Sequence, residues 1–378
     1  MHIDYSAAHK ALQHRLRAWV NGQVLPLADA WDSQEAIPQE VIRTLVKETY
    51  ADQALDAFSL GILFEELGRG SVSLASLLVV HAMCLQGIGQ WGTPEQQEHW
   101  LPSLRDGSRL GAFALTEPNR GSDARNAESR LVPDGDDYLL SGSKQWISHA
   151  QGADLFIVLA KLEDQPICCL LERDTPGLRI EPICGMLGFR AAMIGKLSFD
   201  RVRITQDALL GGQGMGFSHV AASCLDLGRY AVAWTCVGLA QACLEASLHY
   251  AQHRKQFDEP LRKHQLILEM LANMITQIKA ARALCWRAAY LRDEQDPLSI
   301  SETTTAKYFA SGMVSKVASD ALQIHGANGC GPDYPIQRFF RDARISQIIE
   351  GSDQMQQIMI AKNGFVEYRQ AIKNYPFA

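Results

Sequence analysis

A carboxylate follows two isoleucines near the end of the chain, in the run Ile348-Ile349-Glu350-Gly351. An apolar setting raises the pKa of a carboxyl group and makes the carboxylate a stronger base toward a weakly acidic C–H bond. Gly351 lets another group approach closely, because glycine has no side chain. These residues predict a general base at Glu350. A surface glutamate ahead of a helix capped by Ser352 or Asp353 explains them equally well.

Three further segments carry groups that suit a ligand with a planar ring and phosphates. The segment Phe113–Asp123 runs from an apolar strand into a turn whose backbone N–H groups and hydroxyls suit a pyrophosphate or the rim of a ring. Trp146 offers a flat surface to a ring, and Ser148 offers a hydrogen bond beside it. Arg254 matches the geometry of a phosphate, and Phe257 can pack on a ring. The alternatives are a capped turn, a core tryptophan and cations that stabilise a helix C-terminus.

The spacing of apolar residues predicts the elements that carry these groups. Helical periodicity covers about residues 6–104 and returns after Gly216, where apolar residues recur every three or four positions and Gly326 ends one helix. Between these parts, short β-type runs punctuated by glycine, proline and aspartate predict a small antiparallel barrel or sandwich. The predicted fold class is α+β, mainly α, with an N-terminal helical domain (1–110), a middle β-barrel or sandwich domain (111–212) and a C-terminal helical-bundle domain (213–378).

The composition narrows the class of protein. The chain has 378 residues, a net charge of -6 and no long run of like charge, which argues against nucleic-acid binding. No apolar run is predicted to span a bilayer, and the N-terminus lacks the pattern of a signal peptide. The nine cysteines lie singly apart from Cys168-Cys169, without metal-ligand spacing. We therefore expect a cytoplasmic protein with free thiols, no metal, and no membrane or nucleic-acid partner.

Taken together and in this order, these segments resemble those of the acyl-CoA dehydrogenase family over about residues 60–361. The resemblance implies an FAD-dependent oxidoreductase with a C-terminal four-helix bundle, assembled as a homo-oligomer (a dimer or a tetramer). The residues that correspond to the family's FAD contacts are Phe113, Leu115, Thr116, Ser122, Trp146, Ser148, Arg254, Phe257, Gln323, Gly326, Ser352 and Gln354. Those from Arg254 to Gly326 match residues that reach the FAD of a neighbouring subunit.

The resemblance also implies a mechanism. Glu350 matches the family's catalytic base, which removes the proton α to a thioester while hydride leaves the neighbouring carbon for the flavin N5. Some members carry the base just before the arginine of a Leu-Asp-x-x-Arg motif. Here that position is Gly228, which cannot accept a proton, so Glu350 has no visible competitor. Arg229, the arginine of this motif, is a candidate substrate-binding residue.

Several departures from the family pattern concern the substrate. The connection between Tyr50 and Phe58 is shorter than the family's proline- and glycine-rich loop, and Ile349 replaces the usual aromatic residue. Residues 228–238 are similar to a subgroup that acts on hydroxymalonyl or methoxymalonyl units tethered to an acyl carrier protein in polyketide biosynthesis. The sequence therefore predicts a short acyl unit on a carrier protein as substrate, with an unidentified electron acceptor. The alternatives are a conventional short-chain acyl-CoA dehydrogenase acting on a CoA thioester, a flavin oxidase or monooxygenase, and a non-catalytic assembly protein.

Overall fold

A computed structural model of the chain describes residues 5–51 and 55–375. The chain divides into two compact units. The first unit combines Met1–Val24, Asp56–Gly70 and Arg229–Ala378, and the second combines Leu25–Leu55 and Ser71–Gly228. The middle of the short connection between Tyr50 and Phe58, residues 52–54, lies outside the described residues. This division into two units does not test the three predicted domain boundaries, which stay a prediction.

Helices form the N-terminal and C-terminal parts of the chain, as the sequence predicted. In chain order they are α1 (Ala7–Trp19), α2 (Ala28–Gln34), α3 (Gln39–Tyr50), α4 (Ala57–Gly70), α5 (Val72–Trp91), α6 (Pro94–Arg105), α7 (Ala222–His253), α8 (Gln265–Asp293), α9 (Ser299–His325), α10 (Ala327–Cys330), α11 (Ile336–Ile345), α12 (Asp353–Glu367) and α13 (Arg369–Lys373). Single turns of π-helix occupy Val20–Val24 and Gly216–Ala221.

Helix α9 organises the part of the first unit that carries the predicted base. It packs against α8, α11 and α12. The face that α8 buries includes Leu271, Met274 and Ile278, and it follows the predicted spacing of three and four residues. Helix α9 ends at Gly326, also as predicted, because its φ of +59° is a conformation that glycine adopts without strain. The helices on either side of Glu350, α11 and α12, are therefore both fixed against α9.

The second unit contains a β-sheet whose pairing differs in part from the prediction. Its strands are β1 (Gly111–Ala114), β2 (Arg130–Asp134), β3 (Asp137–Ile147), β4 (Leu155–Leu162), β5 (Gln165–Glu172), β6 (Leu178–Pro182), β7 (Gly195–Ile204) and β8 (Leu209–Leu210), in the order β6-β7-β3-β2-β4-β5-β8, with β1 also paired to β4. Both β1 and β2 run parallel to β4, so the sheet is mixed and the antiparallel prediction was wrong for these two pairs. Alternation along one strand indicates a β conformation but not which strand will lie beside it.

The structure bears on two expectations from the composition, one about membrane-spanning segments and one about the cysteines. Two helical segments, Val72–Trp91 and Gly216–His253, are long and apolar enough to cross a membrane, although no such run was predicted from the sequence. In both, 78% of the most apolar window is buried inside the protein, as is typical of core helices in globular proteins. All nine cysteines are free thiols, as expected.

Candidate active site

Glu350 lies in the loop between α11 and α12, in a backbone conformation that is rare for a residue with a side chain. Its φ is +53°, and Gly351 follows at +83°. Positive φ is unfavourable for residues with a Cβ because of steric clashes with the backbone. A Cβ on Gly351 would lie 2.7 Å from Nε2 of Gln356. Position 351 therefore requires glycine for its conformation, and a side chain there would also displace the Gln356 amide.

Hydrogen bonds to two main-chain carbonyl groups hold this loop. Nε2 of Gln356 donates to the carbonyl oxygens of Glu350 (3.1 Å) and Gly351 (3.0 Å). Nζ of Lys307 donates to the Gly351 oxygen at 3.0 Å, and Nε of Arg229 donates to the Glu350 oxygen at 3.3 Å. The donors come from α12, α9 and α7, so residues of three helices, all within the first unit, fix the backbone of the predicted base.

One carboxyl oxygen of Glu350 is left free to accept a proton. This Oε2 atom is buried, and none of the described residues donates a hydrogen bond to it. Burial raises the pKa of Glu350 to about 7, and the positive charges of Arg229 and Lys307 oppose this rise. Glu350 as a whole is half-buried, and a carboxyl group with one enclosed oxygen and a pKa near neutrality suits proton abstraction from a bound ligand. This geometry does not fit a solvated surface glutamate.

Ser352 and Gln354 follow the base at the start of α12. The Ser352 hydroxyl accepts a hydrogen bond from the backbone N–H of Met355, at 3.4 Å, and so caps the helix. Gln354, the second residue of α12, is exposed. Both residues therefore lie beside Glu350, and Ser352 already has the capping role that the sequence analysis offered as an alternative.

The residues predicted to reach a neighbouring subunit lie together at one end of α7 and α9. Tyr250, one turn before Arg254, stacks on the last residue of α9 with ring centroids 4.3 Å apart. That end of α9 also carries Gln323 and Gly326. The side chains of Arg254 and Gln323 are exposed, and Phe257 is 91% exposed in a short hairpin after α7. Their role at a subunit contact stays a prediction. The exposure of their side chains is compatible with that role.

In the second unit, the turn after β1 lies beside strand β3. The backbone N–H of Gln145 donates to the carbonyl oxygen of Thr116 at 2.9 Å. The fully buried Lys144 donates from Nζ to the Leu115 oxygen at 3.0 Å and to the Glu117 carboxylate at 2.7 Å. Tertiary structure thus brings together two of the segments that the sequence analysis singled out.

Trp146 presents its ring to the outside of this unit. It is 49% exposed and has a φ of +62°, so it is not the core tryptophan of the alternative explanation. Ser148 is half-buried, and its hydroxyl lies 3.3 Å from that of Ser76. Of the other predicted residues, Leu115 and Thr116 are half-buried, Ser122 is exposed and Phe113 is buried. An open indole plane with hydroxyls and main-chain groups beside it fits a planar ring that carries a polar rim.

Comparisons with known proteins agree with this geometry. Family models of the N-terminal, middle and C-terminal domains of acyl-CoA dehydrogenases match residues 6–108, 112–202 and 214–365. The mitochondrial short-chain specific acyl-CoA dehydrogenase of Bos taurus is 34% identical over 382 residues, which cover 97% of this chain and 92% of that protein. The chain belongs to the acyl-CoA dehydrogenase family.

Solved structures of the family are similar over nearly the whole chain. A glutaryl-coenzyme A dehydrogenase in complex with glutaryl-CoA is 32% identical with a TM-score of 0.92, and 97% of each chain is covered. FkbI, described for biosynthesis of the methoxymalonyl extender unit of the polyketide Fk520, is 29% identical with a TM-score of 0.85. That match covers 94% of this chain and 99% of FkbI.

As a member of the acyl-CoA dehydrogenase family, the protein is an oxidoreductase that uses FAD, as the sequence predicted. A related glutaryl-CoA dehydrogenase from Mycobacterium smegmatis, 26% identical with a TM-score of 0.90 and 95% coverage of both chains, was solved with FADH2. The residues of the second unit fit the cofactor, because the exposed Trp146 plane and the Ser148 hydroxyl suit a ring system with a polar edge. The Ser122 hydroxyl is open to a phosphate.

The sequence of this acyl-CoA dehydrogenase did not identify Lys307 and Gln356 as residues that hold the Glu350 loop. Lys307 follows Ala306, a member of the apolar stripe of α9. Buried lysines are rare, so a lysine beside this stripe is the sequence feature that could have drawn attention to it. Gln356 lies one turn into α12 and has no distinguishing pattern. Their contacts with positions 350 and 351 depend on how α9 and α12 pack, which periodicity does not specify.

Proposed function

We propose that the protein oxidises a short acyl-CoA thioester, with Glu350 as the base that removes the proton α to the thioester. The observation that carries this proposal is the buried Oε2 atom, which has no hydrogen-bond donor among the described residues. The names of the relatives support a CoA thioester, since the bovine protein is a short-chain acyl-CoA dehydrogenase and a solved neighbour holds glutaryl-CoA.

The residues around Glu350 account for the proton transfer. Near neutral pH a substantial fraction of Glu350 is ionised, because its pKa is about 7. FAD, when bound, supplies the acceptor for the hydride that leaves the carbon next to the deprotonated one. The proton stays on Glu350, and the acyl group becomes an α,β-unsaturated thioester. Arg229 is bonded to the main chain of the base, so we assign it to holding the loop as well as to the predicted contact with substrate.

A second candidate substrate is a short acyl unit on an acyl carrier protein. The observation that favours it is the similarity to FkbI, which extends over 94% of this chain. The isoleucine at position 349 and residues 228–238 support the same proposal. In both candidates the acyl group is a thioester and a hydride passes to FAD. In the carrier-bound candidate that hydride would leave a hydroxylated or hydrated aldehyde carbon of the tethered unit, so removal of the α proton by Glu350 belongs to the first candidate.

The role of Glu350 is tested by single-turnover reduction of the flavin under anaerobic conditions. A panel of short acyl-CoA thioesters should reduce the wild-type flavin, and Glu350→Gln should slow this reduction by roughly 10²- to 10⁴-fold, since general base catalysis contributes that much. Glu367→Gln, an exposed glutamate on α12, is the matched control and should behave as wild type. A Glu350→Gln protein that is reduced at the normal rate would place the base elsewhere.

The carrier is tested by presenting one short acyl group on CoA and on an acyl carrier protein at equal concentration. Faster flavin reduction by the CoA thioester supports the first candidate, and faster reduction by the carrier-bound unit supports the second. Comparing reoxidation in air with reoxidation by an artificial electron acceptor separates a dehydrogenase from an oxidase or monooxygenase. Rapid consumption of oxygen with substrate would contradict both dehydrogenase candidates.

A further inference from the structure

We propose that Lys307 and Gln356 are positioning residues that hold the main chain of Glu350 and Gly351 in the left-handed conformation from which the carboxyl group is presented. The proposal rests on the function of Glu350 proposed above. Neither side chain touches the reacting atoms in this scheme. Both hold the carbonyl groups of the loop, and Lys307 also brings a positive charge close to Glu350.

The backbone of the loop is left-handed at both residues. Glu350 and Gly351 both have positive φ, at +53° and +83°, and for a glutamate this is a sparsely populated region. Such a conformation persists only where the surrounding structure imposes it. Here the main-chain oxygens of the two residues accept hydrogen bonds from Gln356, Lys307 and Arg229. Both residues are therefore held by side-chain donors from other helices.

The Lys307 ammonium group contacts both the loop and the start of α12. Lys307 is fully buried, and Nζ lies 3.0 Å from the Gly351 oxygen and 3.3 Å from Oδ1 of Asp353. Asp353 is held in turn by the hydroxyl of Ser311 at 2.6 Å and by the side-chain amide of Gln347 at 3.0 Å. The lysine thus ties α9 to both the strained loop and the first residue of α12. A buried ion pair is weak evidence for stability, because desolvation offsets the attraction, so its geometry is the more informative property.

Among the described residues, the Gln356 side chain forms hydrogen bonds to the loop alone. It is fully buried, and its Nε2 atom bridges the two carbonyl oxygens at 3.1 and 3.0 Å. Its Oε1 atom accepts no hydrogen bond from the described residues. Replacing Gln356 with leucine therefore removes only the two bonds to the loop and leaves no buried donor without a partner.

Lys307 differs from Gln356 because it also brings a charge close to the base. The charged groups that face Glu350 within this unit are Arg229 on α7 and Lys307 on α9, and Asp353 partly offsets Lys307. Both cations favour the ionised form of Glu350 and so oppose the effect of burial on its pKa. Loss of Lys307 should therefore change both the rate and the pH dependence of proton abstraction. Loss of Gln356 should change the rate alone.

The test uses the FAD-loaded full-length enzyme with Gln356→Leu, Asp353→Asn and the double variant Lys307→Met/Asp353→Asn. Loss of Lys307 alone would leave the Asp353 carboxylate buried without its cation, and the double variant avoids this. Comparison of the double variant with Asp353→Asn then isolates the effect of the lysine. Matched controls are Lys316→Met and Gln357→Leu, which replace the same residue types at exposed positions on α9 and α12. For each protein, flavin reduction by a short acyl thioester is measured from pH 5.5 to 9, together with thermal unfolding.

We expect Gln356→Leu to slow flavin reduction roughly 10- to 100-fold at every pH, since a displacement of about 1 Å in a reacting group can cost 10²-fold. The double variant should be slowed by a similar factor relative to Asp353→Asn. Its acidic limb should also move about one unit to higher pH, because an opposite charge nearby lowers a carboxyl pKa by about that much or more. A loss of thermal stability without these kinetic changes would show a merely structural role and overturn the proposal.

Crystal structures of the same variants give a readout that does not need a substrate. The proposal requires the backbone at positions 350 and 351 to leave the left-handed region or to lose its order in Gln356→Leu and in the double variant. A loop that keeps φ near +53° at Glu350 in both would overturn it. So would a rearranged loop with a normal rate of flavin reduction. If no thioester reduces the wild-type flavin, the proposed function fails, and the crystal structures still decide whether these residues hold the loop.

Discussion

Replacement of the proposed base should make the protein more stable while it removes the proton acceptor. Burial raises the pKa of Glu350 from the 4.5 of an ordinary glutamate to about 7. Each pKa unit corresponds to about 1.4 kcal/mol of free energy. The ionised side chain therefore costs the folded state about 3 kcal/mol at alkaline pH. Glutamine keeps the size of the side chain and has no charge, so Glu350→Gln should recover most of this cost.

The sign and pH range of the effect follow from proton binding. Between pH 4.5 and about 7 the folded state holds the Glu350 proton and the unfolded state does not, so the stability of the wild type falls as the pH rises. Below pH 4.5 the side chain is neutral in both states, and the two proteins should have equal stability. Above pH 7 the variant should be more stable by about 3 kcal/mol, the full value of the shift.

The assay is thermal and denaturant unfolding of wild type, Glu350→Gln and the exposed control Glu367→Gln from pH 4.5 to 9, with FAD occupancy matched. The advantage of Glu350→Gln should be near zero at pH 4.5 and should grow to its full size near pH 8. An advantage that is the same at all pH values would indicate a packing effect. A variant that is less stable than wild type at pH 8 would refute a buried carboxyl group with a raised pKa.

Three further outcomes are expected. Trp146→Ala should raise the Kd for FAD about 2- to 10-fold in titrations of the apoprotein, since an aromatic contact contributes about 0.5–1.5 kcal/mol. The control Trp146→Phe should bind FAD normally. An alanine variant that binds FAD as tightly as the wild type would contradict contact between Trp146 and the flavin ring. Arg254→Ala should lower FAD occupancy after purification while circular dichroism stays unchanged, and a fully occupied monomer would contradict cofactor binding across subunits. Burial lowers the pKa of His81 to about 4 and that of His149 to about 3, so stability should fall as the pH drops below 6.5. His149→Phe should reduce this acid sensitivity in unfolding experiments, and an unchanged slope would show that His149 does not contribute.

Local features of the sequence determined the helical parts of the fold. The stripe Leu271, Met274 and Ile278 is buried on α8 as its spacing predicts, and Gly326 ends α9 because the chain there needs a positive φ. Periodicity and helix termination depend on residues within one or two turns of each other, so they can be read from a single segment. The order of the motifs was enough to give the family and its cofactor, because it matched a known arrangement. That match did not come from the physics of any one motif.

Only the tertiary structure decided which distant residues meet. The parallel pairing of β1 with β4, the exposure of Trp146 and the buried support of the Glu350 loop were not predictable from local patterns. The support joins Arg229, Lys307 and Gln356, which are far apart in the chain and lie on three helices. A carboxyl pKa depends on which charges and dipoles surround it and on how much water it loses, and these are set by packing. The sequence therefore identified the candidate base, whereas the packing of the helices determined its conformation and its pKa.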